Sequence, residues 1–335
     1  MSIFIIMFLL SLATTAVGTP LVRRLAIWLG FVDMPASRKL HAEPMPLMGG
    51  VAIFGGALFA FFLFFTQFTF SRQVAGILGA MLLVGAVGLV DDKIGLRPRT
   101  KLIGQILGVA ILILTDVYVQ LPIPMWVNYL ITLFWVVGIS NALNLLDNMD
   151  GLSAGVSGVA AAFIVLLATA GGQALVAALG AAVLGACLGF LRYNFKPAQI
   201  FMGDAGALFL GFLLAVLGLQ LRFLDNTPLV TWMVPVLILG VPVFDTTLVV
   251  ISRGRRGRNP FTTPGKDHIS HRLVELGFSQ REAVLILYLF CGMFGLTALF
   301  VAQSPPFEAY AVALLVATLS LYCIWWLERR RSKGG

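Results

Sequence analysis

A chain of 335 residues with 59% hydrophobic and only 11% charged residues is excluded from the ordinary soluble globules, whose charged share is about a quarter. Its net charge of +8 needs no nucleic acid, because anionic lipid head groups attract the same excess. The composition describes an all-α polytopic membrane protein with the lipid bilayer as its main surroundings.

Apolar runs of the length that crosses a bilayer core, about 17 to 25 residues, fall at roughly 2–18, 49–66, 74–90, 102–119, 125–144, 153–170, 174–191, 206–222, 229–250, 283–302 and 307–327. They predict about eleven transmembrane helices in a single domain, 1–335. Met1 to Phe8 carries no Lys or Arg, whereas Arg23 and Arg24 follow the first run, so that run reads as a retained span with its N-terminus outside. The C-terminus is then cytoplasmic. This arrangement puts 21 of the 23 Lys and Arg residues on the cytoplasmic side, with Arg72 and Arg222 as exceptions, as the positive-inside rule requires. Of the 15 acids, all but Asp116, Asp225 and Glu308 share that side. Carboxylates concentrated among cations suit a metal ion together with phosphates. Cys187, Cys291 and Cys323 fall in predicted spans without metal-ligand spacing and read as packing residues.

The chemistry-bearing residues fall in the cytoplasmic loops, at about 19–48, 91–101, 145–152, 192–205 and 251–282. Asp91-Asp92 closes the third span; two acids at a membrane exit are as easily solvated as functional. In Asn141-Ala-Leu-Asn-Leu-Leu-Asp-Asn-Met-Asp-Gly-Leu152, helical spacing puts Asn141, Asn144 and Asn148 on one face and makes Asp147 and Asp150 an i, i+3 pair able to converge on one ligand. Gly151 ends the turn. Caps account for Gly151 and for Asn148, but two acids at a helix C-terminus oppose the dipole, a conflict that a bound cation removes. In Asn194-Phe-Lys-Pro-Ala-Gln-Ile-Phe-Met-Gly-Asp204, Asp204 stands where the N-cap of the eighth span belongs, and free N–H groups there also suit an anion or a metal. Phe201 is placed to stack on a base and Lys196 to meet a phosphate. Gly265-Lys-Asp-His-Ile-Ser-His-Arg-Leu273 holds two of the three histidines. His268, His271 and Arg272 are donors suited to phosphate oxygens, whereas the arginines of 253–258 read as a solvated basic loop.

These motifs together, in this order and with Asp33-x-Pro-x-x-Arg-Lys-x-His41 and Pro242-x-x-Asp245, resemble the polyprenyl-phosphate N-acetylhexosamine-1-phosphate transferases over most of the chain. The number of spans and the His-Ile-x-His loop are similar to the branch that moves N-acetylglucosamine 1-phosphate, rather than to the peptidoglycan branch. Ser270, Asn148 and Leu47 depart from the pattern, where His, Gly and Arg are frequent.

The resemblance implies that a UDP-N-acetylhexosamine donates its sugar 1-phosphate to undecaprenyl phosphate, releasing UMP with Mg²⁺ or Mn²⁺, as the first membrane step of cell-surface polysaccharide synthesis. It implies Asp204, Asp92, Asp147 and Asp150 as metal ligands, with Asp91, Asp92, Asp147, Asp150, His268 and His271 in catalysis. Uracil is expected against Phe201, the nucleotide near Asn144 and Asn194, and phosphates near Lys39, His41, Lys196 and Arg272. The expected location is the plasma (inner) membrane, with the active site on the cytoplasmic face and a homodimer as a further partnership. The alternatives are transfer of phospho-MurNAc-pentapeptide and, in another class, ion-coupled transport. Transport sites usually lie at the bilayer midplane on broken helices, whereas these acids cluster toward one face.

Overall fold

The computed structural model describes residues 2–34, 44–68, 71–223, 225–259 and 265–333. Lys39 and His41 lie outside the described residues. The helices are α1 (Ser2–Leu29), α2 (Gly49–Leu63), α3 (Arg72–Ile94), α4 (Pro98–Leu114), α5 (Met125–Leu146), α6 (Leu152–Ala170), α7 (Ala174–Asn194), α8 (Gly203–Gln220), α9 (Pro228–Thr231), α10 (Met233–Ile238), α11 (Gly240–Arg255), α12 (Ile269–Glu275), α13 (Gln280–Gln303) and α14 (Pro306–Lys333). A two-residue antiparallel ladder joins β1 (Val32–Asp33) to β2 (Met45–Pro46). Among the described residues, eight helices are long and apolar enough to cross a membrane, or nine if the bent α9–α11 segment is one span. The protein is therefore an all-α, multi-pass membrane protein. The helical backbone follows from the solvent, because lipid offers no partner to an unpaired N–H or C=O.

Contacts divide the chain into two compact units, with the boundary between Arg222 and Phe223. In the first, α8 is the axis and packs on α2, α3, α5, α6 and α7. Almost every residue from Ala205 to Gly218 is buried, as expected for a helix apolar on all sides. Helices α1 and α7 approach closely because Gly185 and Gly189 of α7 leave room for the backbone of α1, where a Cβ at Gly189 would come 2.5 Å from the Leu12 carbonyl oxygen. This is a small-xxx-small contact. In the second unit, α13 packs against α9, α10, α11, α12 and α14. Its N-terminus is fixed by a reciprocal capping box between Ser279 and Glu282.

Several expected boundaries change. Residues 19–29, expected in a loop, continue α1, which keeps their backbone hydrogen-bonded. The loop expected at 91–101 shrinks to three residues, because Asp91 and Asp92 belong to the last turn of α3 and Pro98 opens α4. A proline at N1 lacks only an N–H that would have had no helical partner. The run at 229–250 is broken, with a 77° bend before Gly240. Pro242 lacks the N–H that would bond the Ile238 carbonyl across that bend, and Gly240 packs directly beneath the ring of Phe294. Cys187 and Cys291 are buried as expected, whereas Cys323 is exposed on α14.

Candidate functional site

Helices α3, α5 and α7 of the first unit end where α8 begins, and that end gathers the aspartates. Both oxygens of Asp92 accept backbone bonds from the start of α8, from Asp204 N–H at 2.7 Å and Ala205 N–H at 3.1 Å. The N-cap expected of Asp204 is thereby corrected: Asp204 lies inside the first turn, and the anion that satisfies the free N–H groups comes from α3. This contact requires glycine at 203, which has φ +75° and where a Cβ would stand 2.5 Å from the Asp92 carboxylate.

Asp204 is left to direct its own carboxylate elsewhere. Lys101 Nζ donates to Asp204 at 2.5 Å and to Asp91 at 2.9 Å, and the Asn144 side chain hydrogen-bonds Asp204. The other oxygen of Asp91 accepts the Leu96 N–H at 2.6 Å. Lys101 is a site residue that the acidic and histidine motifs do not reveal. The available signal was Pro98, which starts α4 early enough to set Lys101 in its first turns, across a three-residue connection from Asp91.

Asp147 and Asp150 do not form a helical pair, because α5 ends at Leu146 and 147–151 is a turn closed by Gly151 at φ +79°. Turn geometry sends the two acids to different partners. Asp147 lies in the field of Asp204, Asp92 and Asp150, whereas Asp150 accepts the Ala198 N–H at 3.1 Å and pairs with Lys196 at 3.3 Å. The three asparagines also diverge. Asn141 pairs with buried Gln105, Asn144 serves Asp204, and Asn148 bonds back to Leu145. Asn194 is buried, accepts from Gly151 N–H at 3.0 Å and donates to the Ile200 carbonyl at 3.0 Å. It staples the aspartate turn to the 195–202 loop. Phe201 is half-buried, and its backbone is clamped between Pro46 and Gly49.

The oxygen-only donor set is the chemistry preferred by Mg²⁺ rather than by soft metals. Among the described residues, no three acids, histidines or cysteines surround one point, but Mg²⁺ is usually held by one or two carboxylates with waters and substrate phosphates. Asp92 spends both oxygens on backbone N–H groups, and Asp150 Oδ2 takes both the Ala198 N–H and Lys196. Asp204 and Asp147 are the pair whose carboxylates carry no backbone bond among the described residues. Burial, then the fields of Asp204, Asp92 and Asp150, pushes the Asp147 carboxyl up from 3.8 to about 8. Lys101 and Lys196 pair with Asp204 and Asp150, yet the charges that raise Asp147 itself are acidic, a setting that suits a cation.

A pH test follows. Between 3.8 and about 8 the folded state holds a proton at Asp147 that the unfolded chain releases, so the stabilisation is complete below 3.8 and is lost as pH rises through about 8. In EDTA, the melting temperature is expected to fall between pH 6 and 9, and less steeply in Asp147→Asn. An equal slope in both proteins would refute the assignment.

In the second unit, Asp245 is fully buried on α11 and organises the histidine turn. Its oxygens accept the Ile269 N–H and face His268 Nδ1, each at 2.7 Å. A carboxylate opposite Nδ1 requires that nitrogen to carry the proton, and Nε2 is the nitrogen turned from Asp245. The His271 ring lies 6.2 Å from that of His268. Burial, then the charges of His268 and Lys266, lowers His271 to about 4, so it is neutral at pH 7. Arg272 is buried rather than open to a ligand, as are Arg253 and Asp267, which pair at 3.1 Å. Arg253 and Arg256, expected in a solvated loop, both hold Asp267. Desolvation makes such unpaired charges costly, so the arginines pair inward.

The glycosyl transferase family 4 model matches residues 74–222, which carry all five aspartates. The chain is 41% identical to a probable undecaprenyl-phosphate N-acetylglucosaminyl 1-phosphate transferase of Bacillus subtilis, over 88% of this chain and 84% of the relative. It is 34% identical to a decaprenyl-phosphate N-acetylglucosaminephosphotransferase of Mycolicibacterium smegmatis, over 90% and 84%. A third relative, the undecaprenyl-phosphate alpha-N-acetylglucosaminyl 1-phosphate transferase of Yersinia pestis, is 29% identical over 96% and 90%.

Proposed function

The chain belongs to glycosyl transferase family 4, and from that premise we propose that it transfers N-acetylglucosamine 1-phosphate from UDP-N-acetylglucosamine to undecaprenyl phosphate. The observation that carries this reading is the convergence of Asp91, Asp92, Asp147 and Asp204 with Lys101 on the first turn of α8. A phosphate oxygen of the lipid attacks the β-phosphorus of the donor. The bond from that phosphorus to the oxygen bridging to the α-phosphate breaks, and UMP leaves with the electron pair.

A phosphate monoester has a second pKa of about 6, so the acceptor enters largely as a dianion and needs no strong base. Lys101 meets the charge gathered by two phosphates, Asp91 orients Lys101, and Asp92 holds the α8 turn that aims Asp204. Asp204 and Asp147 would hold Mg²⁺. Bound there, the ion supplies neutralisation of diphosphate charge. Asn194 fixes the aspartate turn, and Lys196 and Phe201 serve the nucleotide; His268 and His271 are read as substrate-binding groups from the family resemblance.

We also read eleven spans by adding α2, α4 and bent α9–α11 to the eight long helices, with the site on the cytoplasmic face of the plasma membrane. The positive-inside distribution supports this topology.

Purified protein given Mg²⁺, undecaprenyl phosphate and UDP-N-acetylglucosamine is expected to release UMP, with far slower release from UDP-N-acetylgalactosamine and UDP-MurNAc-pentapeptide. Turnover of the pentapeptide donor alone would reject the donor assignment. Uptake of UDP-sugar into proteoliposomes without UMP would reject the reaction.

A further inference from the structure

We propose that Glu328, on the C-terminal helix α14, is a positioning residue that holds the histidine turn through Arg272. The proposal rests on the reading of His268 and His271 as substrate-binding groups. Helix α14 is largely exposed, yet near its end Ile324, Leu327 and Glu328 form one covered face at i, i+3 and i+4 spacing. An acid on the covered face of an otherwise exposed helix calls for a partner, and Glu328 Oε1 accepts from Arg272 Nη2 at 2.5 Å.

Arg272 ties this contact to the turn. Its Nε donates to the Asp267 carbonyl at 3.1 Å and its Nη2 also donates to Ser252 Oγ at 2.7 Å. The guanidinium therefore closes the backbone from 267 to 272 around both histidines, while Asp245 fixes the same turn from α11. The Asp267 carboxylate is already taken by Arg253 and Arg256, so Glu328 is the acid that answers the Arg272 charge among the described residues. Arg272 Nη1 is buried without a hydrogen-bond partner. A guanidinium already short of one bond is poorly placed to lose another.

The test uses the full chain in detergent, with UDP-N-acetylglucosamine and undecaprenyl phosphate varied separately. Glu328→Ala is expected to lower kcat/KM for the nucleotide sugar by about 10- to 100-fold, the scale of a displaced binding group, with the KM of the lipid unchanged. Glu328→Gln keeps the accepting oxygen and is expected to recover most of that loss. Combining Glu328→Ala with Arg272→Ala is expected to be no worse than Arg272→Ala alone. Wild-type donor kinetics in Glu328→Ala, an equal loss for both substrates, or multiplying effects would overturn the proposal. Amide exchange across 268–273, expected to accelerate in Glu328→Ala, is independent of turnover. Unchanged exchange defeats the tether, whereas absence of UMP release by the wild-type protein defeats the functional reading instead.

Discussion

Asp204→Asn is expected to reduce UMP release by at least about a thousandfold, the scale of removing a charged group aimed at transferring phosphates, while the protein stays folded. The two halves of this expectation rest on different atoms. Asp92 grips the backbone N–H groups of residues 204 and 205, which the substitution leaves in place, so the first turn of α8 keeps its position. Only the side-chain charge is removed. Lys101, at 2.5 Å from Asp204 and 2.9 Å from Asp91, then faces one carboxylate instead of two, and the Asp204–Asp147 pair loses one of its two carboxyl groups. Monodisperse elution and a melting temperature near that of the wild-type protein should accompany the loss. Residual activity within tenfold of wild type would show that Asp204 is not central to the reaction.

Gly50→Val is expected to disturb the same site without altering any polar group. A Cβ at position 50 would penetrate the backbone nitrogen and Cα of Gly206, and one at Gly88 would come 2.6 Å from the Cα of Ala205. Helices α2 and α3 therefore touch α8 backbone to backbone just beyond Asp204, and no flexible side chain is available to yield. Overpacking of this kind costs about 1–3 kcal/mol, and a shift of about 1 Å at a reacting group costs about a hundredfold in rate. Lower thermal stability and about a hundredfold lower kcat/KM are expected together. Gly55→Ala is the control on the same helix, because nothing lies within 4 Å of its added Cβ and alanine favours a helix interior over glycine by about 1 kcal/mol. Loss of activity in Gly55→Ala equal to that in Gly50→Val would remove the argument for the close contact.

Hydropathy located the helices, because a backbone in lipid must close its own hydrogen bonds, although the run at 229–250 is broken into three. The same local logic brought out Asp91, Asp92, Asp147, Asp150 and Asp204, since charge is rare enough in this chain to be conspicuous. Capping rules then misassigned Asp204 for an identifiable reason: a carboxylate on the same segment is the usual cap, and the competing carboxylate lies 112 residues earlier. Helical spacing likewise paired Asp147 with Asp150 because the end of α5 at Leu146 was not legible in an apolar run.

The sequence by itself determined the membrane class, the helical architecture and the supply of acids, cations and histidines, because these follow from composition and near-neighbour chemistry. Tertiary structure decided which acid does what. Asp92 became the anchor of α8, Asp150 the partner of Lys196 and Ala198, and Asp204 with Asp147 the pair without backbone bonds, because helix ends far apart in the chain meet at glycine crossings. The ties of Lys101 to Asp204, Asp245 to His268 and Arg272 to Glu328 are set by that packing, beyond the reach of local spacing.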